Sequence, residues 1–427
     1  MRTSHTNPIA TGALLLSCGL AAAGGPVVDI PPATLPSVAW FADNPNATVN
    51  VTSGESIFPD SGGGTFGFNG ATVNIETTAS SGFFTVDQFL EDVTYNINGG
   101  ELLRAKFIGS VGTTTLNINS GSVERGLHLR GNSTGTMSGG DMGLVAGGQA
   151  AMVLEDDSSF VMSGGNIDTF ILLIDSSGFS MSGGTLEGAL LLEDEASAVV
   201  SGGSTGRDGR LRDIGNTLTV TGGTIGRDFL VERGTVTMSG GAFGENSAML
   251  NGGGVDPVFN MSGGAVGTGF RLYDGTMNVS GGLIGDGFRL GRPTGDGAGA
   301  TLNLTVKSAT VDGVDVPMTY GVATPIVTRG GAFLSAILMD DSLVGLDLNE
   351  DSVFGEDRVR AAATLTVTLG VCPADVNADG SVNFFDIAGF ITLYHASDPA
   401  ADIAAPFGTW NFFDVSAFLA SYAAGCP

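Results

Sequence analysis

A short glycine motif that recurs through the middle of the chain constrains its fold more than any other feature. A hydrophobic residue, a Ser, Thr or Asn and usually two glycines recur at intervals of 18 to 25 residues. The last glycines of the motifs are Gly100, Gly121, Gly140, Gly165, Gly184, Gly203, Gly223, Gly241, Gly264 and Gly282. A period of about 20 residues is typical of stacked repeats, in which each unit covers the hydrophobic face of its neighbour.

The hydrophobic residues between these glycines predict short β-strands. In the unit after Gly223 they are Ile225, Phe229, Val231, Val236 and Met238, and in the unit after Gly264 they are Val266, Phe270, Leu272, Met277 and Val279. Steps of two place side chains on one face of a strand, whereas paired glycines in every unit would destabilise a helix. The chain is therefore predicted to be mainly β. Residues 71–306 should form a single-stranded parallel β-helix, a solenoid of coils about 20 residues long with three short strands each.

The segments that flank the repeat are predicted to cap the two ends of the rod and to direct its export. Because the open ends of a β-helix expose strand edges, residues 24–70 are expected to form an N-terminal cap and residues 307–370 a C-terminal cap. Residues 1–23 have the features of a secretory signal peptide, an apolar run that ends in small residues. Cys18 within that run leaves a lipoprotein signal as an alternative. The protein is expected to be secreted and to remain extracellular or associated with the cell surface.

The charge balance restricts the expected partners. The chain has 44 acidic and 17 basic residues and a net charge of −27. Nucleic acids and anionic membranes require a positive surface, so neither is an expected partner. No stretch beyond the N-terminal run is apolar for the roughly 18 residues that a membrane span requires.

Charged and hydroxyl side chains recur at positions that should point outward. The charged ones are Arg104, Arg125, Arg207, Arg210, Arg227, Arg271 and Arg289, with Asp208, Asp213, Asp228, Glu232 and Asp274. Because they recur with the coil, we predict exposed ion pairs that each stabilise the rod slightly. A polysaccharide lyase that uses Arg271 or Arg289 is the alternative. The motif serines are predicted to stack as a hydroxyl ladder formed by the turns, with a sugar-binding stripe as the alternative.

Other catalytic chemistry finds no support in the sequence. No His or Cys pair has the spacing of a metal site, and no nucleophile motif accompanies a triad. No catalytic residue is therefore assigned, and binding is expected instead of turnover.

After Gly370, an acidic loop has the oxygen spacing of a calcium site. Its oxygen-bearing residues at loop positions 1, 3, 5, 7, 9 and 12 are Asp375, Asn377, Asp379, Ser381, Asn383 and Asp386, with glycine at position 6. Ser381 would contribute its backbone carbonyl. Twelve-residue loops of this pattern enclose Ca²⁺ in oxygen ligands, with the glycine at the sharp turn. The loop therefore predicts a bound Ca²⁺.

A helix is predicted after this loop and again 28 residues later. The two apolar faces are Ile387, Phe390, Ile391 and Tyr394, and Val415, Phe418, Leu419 and Tyr422. Matched faces of this kind are expected to pack together. A segment of about 55 residues usually needs an additional constraint. Cys372 and Cys426 remain once the signal peptide is removed, and they are predicted to form one disulfide.

Residues 372–427 resemble a type I dockerin of the GC-type dockerin domain-anchored bacterial proteins. The Cys-Pro opening, the duplicated Phe-Phe-Asp before each helix and the terminal Gly-Cys-Pro carry the resemblance. It implies two calcium loops and docking onto a cohesin-like receptor. The second loop departs from the family pattern and keeps only Asp402, Asn411 and Asp414, so its site is expected to be weak or empty. The resemblance implies partner contacts by the module's aromatic residues Phe384, Phe385, Phe390, Tyr394, Phe412, Phe413, Phe418 and Tyr422.

The rod is also similar to the roughly 19-residue repeats of autotransporter-type adhesin passengers. The expected function is that of a structural or adhesive rod, anchored to a cell surface or extracellular scaffold through its calcium-binding module. Extracellular polysaccharide is a further candidate partner. The alternative is a carbohydrate-active β-helix enzyme, a polysaccharide lyase or glycoside hydrolase, carried by the same anchor.

Overall fold

The structure is a computed structural model that describes most of the chain. The described residues are 25–30, 36–57, 64–76, 79–82, 88–102, 105–109, 114–123, 126–143, 150–251, 253–293, 299–318, 322–350, 357–370, 374–377, 379, 381–404 and 408–424. The predicted signal peptide with Cys18, the predicted disulfide Cys372–Cys426, and Arg104, Arg125 and Gly380 lie outside these ranges.

Short strands make up most of the described chain before the C-terminal module. The strands of the first half are β1 (Val27–Ile30), β2 (Thr48–Val51), β3 (Gly54–Ile57), β4 (Gly64–Glu76), β5 (Ala79–Gly82), β6 (Gln88–Leu102), β7 (Ala105–Gly109), β8 (Thr115–Val123), β9 (Leu127–Gly131), β10 (Thr134–Met137), β11 (Asp141–Met142), β12 (Met152–Leu154), β13 (Ser159–Met162), β14 (Asn166–Ile167), β15 (Ile171–Leu173), β16 (Gly178–Met181), β17 (Thr185–Leu186), β18 (Leu190–Leu192), β19 (Ser197–Val200) and β20 (Ser204–Thr205). Those of the second half are β21 (Arg210–Leu211), β22 (Thr217–Val220), β23 (Thr224–Ile225), β24 (Leu230–Val231), β25 (Thr235–Met238), β26 (Ala242–Phe243), β27 (Ala248–Met249), β28 (Val258–Val266), β29 (Arg271–Leu272), β30 (Gly275–Ile284), β31 (Arg289–Leu290), β32 (Ala300–Val311), β33 (Val314–Asp315), β34 (Ala323–Pro325), β35 (Ala332–Leu338), β36 (Leu343–Leu348), β37 (Arg358–Val359) and β38 (Thr364–Leu369). The helices are α1 (Val38–Asp43), α2 (Phe384–His395) and α3 (Phe412–Ala424), with a 3-10 turn at Pro399–Ala401.

The strands stack in parallel columns, each strand above the equivalent strand of the preceding coil. One column joins β1, β2, β4, β6, β8, β10, β13, β16, β19, β22, β25, β28, β30, β32 and β38. Within one coil, β23, β24 and β25 lie in three different columns, paired to β26, β27 and β28 of the next coil. The predicted mainly β fold, a parallel β-helix with three short strands in each coil, is confirmed.

The rod has a continuous hydrophobic axis. The ten residues predicted to point inward in the units after Gly223 and Gly264 are each no more than 1% exposed. A row of phenylalanine rings lies along the axis, and the centroids of successive rings are 5.3 to 6.2 Å apart. The row consists of Phe229, Phe243, Phe259, Phe270 and Phe288. Each coil thus buries the apolar face that it could not bury alone.

The last glycine of the motif is required both by its backbone conformation and by the lack of room for a side chain. The last glycine has φ between +72° and +95° in nine of the ten motifs, a conformation that side chains disfavour. A Cβ added at Gly223 would lie 2.7 Å from the carbonyl oxygen of Gly203 in the preceding coil. Glycine therefore satisfies two independent constraints at this turn.

The motif serines bond to the backbone of the preceding coil. The hydroxyl of Ser163 donates to the Met137 carbonyl at 3.4 Å, and that of Ser201 donates to the Met181 carbonyl at 3.3 Å. Ser262 and Ser280 make equivalent bonds, so these four serines act as turn residues that tie one coil to the next through main-chain carbonyls.

Parallel pairing extends beyond both ends of the glycine repeat. β1 pairs with β2 and β2 with β4, so coils already form within the segment expected to be the N-terminal cap. Helix α1 places Phe41 against Phe68, with ring centroids 4.6 Å apart. At the other end, β37 and β38 continue two columns after the antiparallel hairpin of β35 and β36.

The C-terminal segment folds as two helices with a core of their own. The rings of Phe390 and Phe418 stack 4.1 Å apart at an interplanar angle of 8°. The predicted packing of the two helices is confirmed, although Ile391 and Leu419 are 51% and 52% exposed and lie outside that core. No helix in the described ranges is long and apolar enough to cross a membrane.

Candidate functional site

The first acidic loop, residues 375–386, folds around its own side-chain oxygens. Asp375 and Asp386, at its two ends, are 2% and 0% exposed. The backbone N–H of Asp379 donates to Oδ1 of Asp375 at 3.1 Å and to Oδ1 of Asn377 at 3.0 Å. The oxygens of loop positions 1 and 3 therefore converge on the backbone N–H of Asp379.

The module (residues 372–427) has no basic residue except His395. It contains six aspartates and neither Lys nor Arg. Burying a carboxylate without a compensating charge is costly, and a hard divalent cation with oxygen ligands is one means of compensation. Within the described ranges, no three His, Cys, Asp or Glu side chains come together as a metal cluster. A cation here would therefore depend on amide and backbone oxygens as well as carboxylates.

Two of the predicted ligands in each loop also cap a helix. Oδ1 of Asn383 accepts the Phe385 N–H at 2.8 Å, and Oδ2 of Asp386 accepts the Asn383 N–H at 2.8 Å. Asn411 and Asp414 make the equivalent bonds at the start of α3. These are capping boxes. Helix capping therefore explains the two later positions of each loop, whereas Asp375, Asn377 and Asp379 bond to N–H groups within the first loop itself.

The second loop satisfies its buried carboxylate without a cation. Asp414 is fully buried, and its carboxylate accepts N–H groups from Asn411 at 2.8 Å and from Ile403 and Ala404 at 2.9 Å each. These bonds, chiefly the one from Asn411, lower the pKa of Asp414 below its ordinary value. The loop thus holds Asp414 as a carboxylate through backbone dipoles. Asp402, the other acid of this loop, has Oδ1 buried and without a hydrogen-bond partner in the described part of the chain.

The aromatic residues predicted to contact a partner divide into two groups. Four lie at the first turns of α2 and α3 and are 61% to 75% exposed, and we call them the phenylalanine patch: Phe384, Phe385, Phe412 and Phe413. Phe390 and Phe418 are corrected to core residues, because they stack between the helices and are at most 4% exposed. Tyr394 and Tyr422 are half-buried against them.

Three of the five predicted outward arginines that the structure describes form ion pairs, namely Arg207, Arg210 and Arg227. Arg207 lies 3.3 Å from Asp208, and Arg227 lies 3.7 Å from Asp228. The prediction is wrong for Arg271 and Arg289, which have no carboxylate within 4.0 Å among the described residues.

A surface groove of about 480 Å³ crosses the rod beside these pairs. Its charged lining residues are Asp168, Glu187, Arg207, Asp208, Arg210 and Arg212. Burial, together with the charges of Glu187 and Asp141, raises the pKa of Asp168 above its ordinary value. A carboxyl group with a raised pKa beside a second acid is an arrangement that general acid–base chemistry uses.

Two ladders of polar residues were not predicted. Asparagine side chains donate from coil to coil at 2.7 to 2.9 Å in the series Asn50, Asn74, Asn96 and Asn117 and in the series Asn260, Asn278 and Asn303. The sequence signal for them is an asparagine that recurs two residues after a Thr or Val. The turns repeat φ values of +57° to +63° at Asp156, Asp175, Asp194, Asp208, Asp228 and Asn246. Asp and Asn tolerate this conformation, so turn geometry accounts for part of the rod's negative charge.

Comparison with known proteins identifies no relative. No family model matches the chain, and no curated protein or solved structure matches it either. Any function has to be inferred from the side chains described above.

Proposed function

We propose that the protein is a secreted structural or adhesive rod, anchored by a calcium-binding, dockerin-like module to a cohesin-like receptor on a cell surface or extracellular scaffold. The β-helix provides a long acidic body, and residues 372–427 provide the attachment. One observation carries the proposal: Asp375 and Asp386 are buried in a module that has neither Lys nor Arg.

The first loop would hold the cation. Asp375, Asn377 and Asp379 would supply side-chain oxygens, and Ser381 would supply its backbone carbonyl. A bound Ca²⁺ neutralises the carboxylates and fixes the loop to the start of α2. In the second loop, three backbone N–H groups already satisfy Asp414, so we propose a single strong calcium site.

Matched substitutions in the two loops test this site. In the wild-type protein, calcium should raise the melting temperature of the helical module, and calorimetric titration should give one ion per chain. Asp375→Asn should abolish both effects, whereas Asp402→Asn, at the first position of the second loop, should preserve them. Melting that does not change with chelator, or equal losses in the two variants, would contradict the single-site proposal.

The phenylalanine patch is the proposed receptor contact. Exposed apolar patches of this kind mark interaction surfaces, and these four side chains are repeated at the starts of both helices. The full chain should be retained on its native cell surface in calcium and released by chelator. Replacing all four phenylalanines by serine should abolish retention, whereas Ile391→Ser, at an equally apolar position with 51% exposure, should not. Retention of the fourfold variant would contradict the assignment.

The groove at Asp168 supports a second candidate, a carbohydrate-active enzyme on the same anchor. The raised pKa of Asp168 beside Glu187, with arginines in the same groove, is the observation that favours it. Release of unsaturated or reducing sugars from pectin or alginate, lost in Asp168→Asn, would support the enzyme. A wild-type protein that releases no sugar from these polymers would support the structural rod.

A further inference from the structure

Arginines of adjacent coils stack in register on one face of the rod. Arg271 of β29 pairs with Arg289 of β31, and Arg289 pairs with Arg358 of β37. Arg360 lies two residues beyond Arg358, just after β37, and its backbone N–H still donates to the Leu290 carbonyl of β31 at 3.0 Å. We call Arg271, Arg289, Arg358 and Arg360 the arginine ladder.

The arginine ladder lacks the carboxylate partners that most arginines in the described part of the rod have; Arg329 also lacks one and donates to main-chain carbonyls instead. Those with a carboxylate within 4.0 Å are Arg130, Arg207, Arg210, Arg212, Arg227, Arg233 and Arg292. The four members of the ladder have no such partner in the part of the chain that the structure describes. In a protein with 44 acidic and 17 basic residues, four neighbouring arginines without a carboxylate are an arrangement that favours an external anion.

The donors of the ladder are only partly satisfied. Arg358 is 4% exposed, and it donates through Nη2 to the Gly291 carbonyl at 2.9 Å. Nε of Arg289, Arg358 and Arg360 is buried in each case, with no acceptor among the described residues. Arg271 donates to the Asn246 carbonyl at 3.0 Å. These buried Nε–H groups lie beneath the surface, but the side chains of Arg271, Arg289 and Arg360 are partly exposed, so their guanidinium groups can donate to an incoming oxyanion.

The electrostatic environment of the ladder also favours a bound anion. Burial, followed by the charge of Arg360, lowers the pKa of Arg358, and Arg289 acts in the same direction. The like charges therefore repel one another in the free protein. Negative charge placed between them would relieve that repulsion.

A groove adjoins the ladder and gives a ligand room to lie along the rod. It has a volume of about 250 Å³ and meets the ladder at Arg271, beside Tyr273, Leu230, Ala248 and Leu250. Its other charged lining residues are Arg210 and the two acids Asp208 and Asp228, which belong to the lining coils farthest from the other ladder arginines in coil order. An aromatic ring and apolar side chains offer a surface on which sugar rings can pack, and the guanidinium fork matches a carboxylate.

We propose that the arginine ladder is an oxyanion-binding site that holds the carboxylates of an acidic polysaccharide. Adjacent strands lie about 4.8 Å apart, so the partly exposed Arg271, Arg289 and Arg360 present cationic groups on three successive coils of the rod. A polymer with repeated carboxylates can engage several of these steps at once, whereas a free anion contacts one or two. This inference concerns the rod alone and does not depend on the C-terminal module.

Affinity electrophoresis of the full chain tests the proposal. Polygalacturonate in the gel should retard the wild-type protein at low salt, neutral dextran should not, and added salt should weaken the retardation. Arg289→Gln should weaken polygalacturonate binding by about tenfold or more. Arg227→Gln, which removes an outward arginine already paired with Asp228, should bind as the wild type does.

Thermal melting separates a binding role from a structural one and identifies the source of the anion. Without ligand, Arg289→Gln should melt no lower than the wild type, because it removes a like charge. A lower melting temperature with unchanged polygalacturonate binding would overturn the site. Stabilisation of the wild type by inorganic phosphate alone, without retardation by polygalacturonate, would overturn the polymeric ligand and assign the ladder to a free anion.

Discussion

The rod and the C-terminal module bury their hydrophobic residues in different ways. In the rod, each buried side chain contacts its equivalents in neighbouring coils, and a single core cluster runs from Ile30 to Val367. In the module, the fully buried members of the core are Ala374, Phe390, Ala401 and Phe418. Rod stability is therefore a sum of many repeated interfaces. Module stability depends on one aromatic contact and on how its carboxylates are held.

The largest expected effect is a charge placed on the axis of the rod. Phe229→Asp would put a carboxylate against Phe243, whose ring centroid lies 5.5 Å from that of Phe229. Burying an unpaired charge should lower the free energy of unfolding by more than about 4 kcal/mol. Thermal melting followed by the β-sheet circular dichroism signal measures the change.

The control for this prediction is the outward neighbour Arg227. Arg227→Ala removes an exposed ion pair and should cost less than about 1 kcal/mol. Equal losses in the two variants would show that the assignment of inward and outward positions is wrong. Loss of helical signal together with strand signal in Phe229→Asp would show that rod and module unfold as one unit.

A smaller and more local effect is expected in the module. Phe418→Ala removes one of two stacked rings and should destabilise the module by about 3 kcal/mol, enough to unfold a core of this size. The helical signal at 222 nm should fall while the β-sheet transition stays in place. Leu419→Ala, the next residue and 52% exposed, should cost less than about 1 kcal/mol. A parallel loss in both variants would remove the special role of the aromatic stack.

The sequence predicts the rod well where the repeat is regular. Steps of two, from Phe229 to Val231 and from Val236 to Met238, identify inward positions, because strand geometry alone fixes which side chains share a face. The end coils were harder to predict, because their strands vary in length and lack the glycine motif. The arginine ladder shows the same limit: Arg289 lies beside Arg358, and the insertion that contains β35 and β36 separates them in sequence.

The module shows what residue spacing can and cannot establish. The pattern from Asp375 to Asp386 identifies the oxygens that line the first loop, because the loop is local in sequence. It does not distinguish a ligand from a helix cap, since Asn383 and Asp386 meet the requirements of both. Nor does it distinguish an apolar residue that faces the other helix from one that faces solvent when both occur within one turn, as with Phe390 and Ile391.

The smallest expected effect is a change in stability on replacing Asp168. It tests a difference between the two regions in how each holds a carboxylate. In the module, backbone N–H groups lower the pKa of Asp414, whereas in the rod burial and neighbouring acids raise that of Asp168. A raised pKa in the folded state means that charged Asp168 opposes folding at neutral pH, and that this penalty disappears as the pH falls through the folded pKa. Asp168→Asn should therefore be slightly more stable than the wild type at pH 7, by less than about 1 kcal/mol because solvent screens the groove.

The pH dependence separates this effect from a general reduction in charge. The advantage of Asp168→Asn should shrink toward zero near pH 4, and melting curves of both proteins at the two pH values measure it. Asp194→Asn removes an exposed charge from a turn with φ of +60°, a conformation that Asn also tolerates, and so reports the effect of net charge alone. If Asp194→Asn shows the same gain at pH 7 and the same loss of that gain at pH 4, the long-range acidity of the rod accounts for the behaviour. If only Asp168→Asn shows a gain at pH 7 that is lost at pH 4, the local environment of the groove, and not the net charge of the rod, accounts for the behaviour.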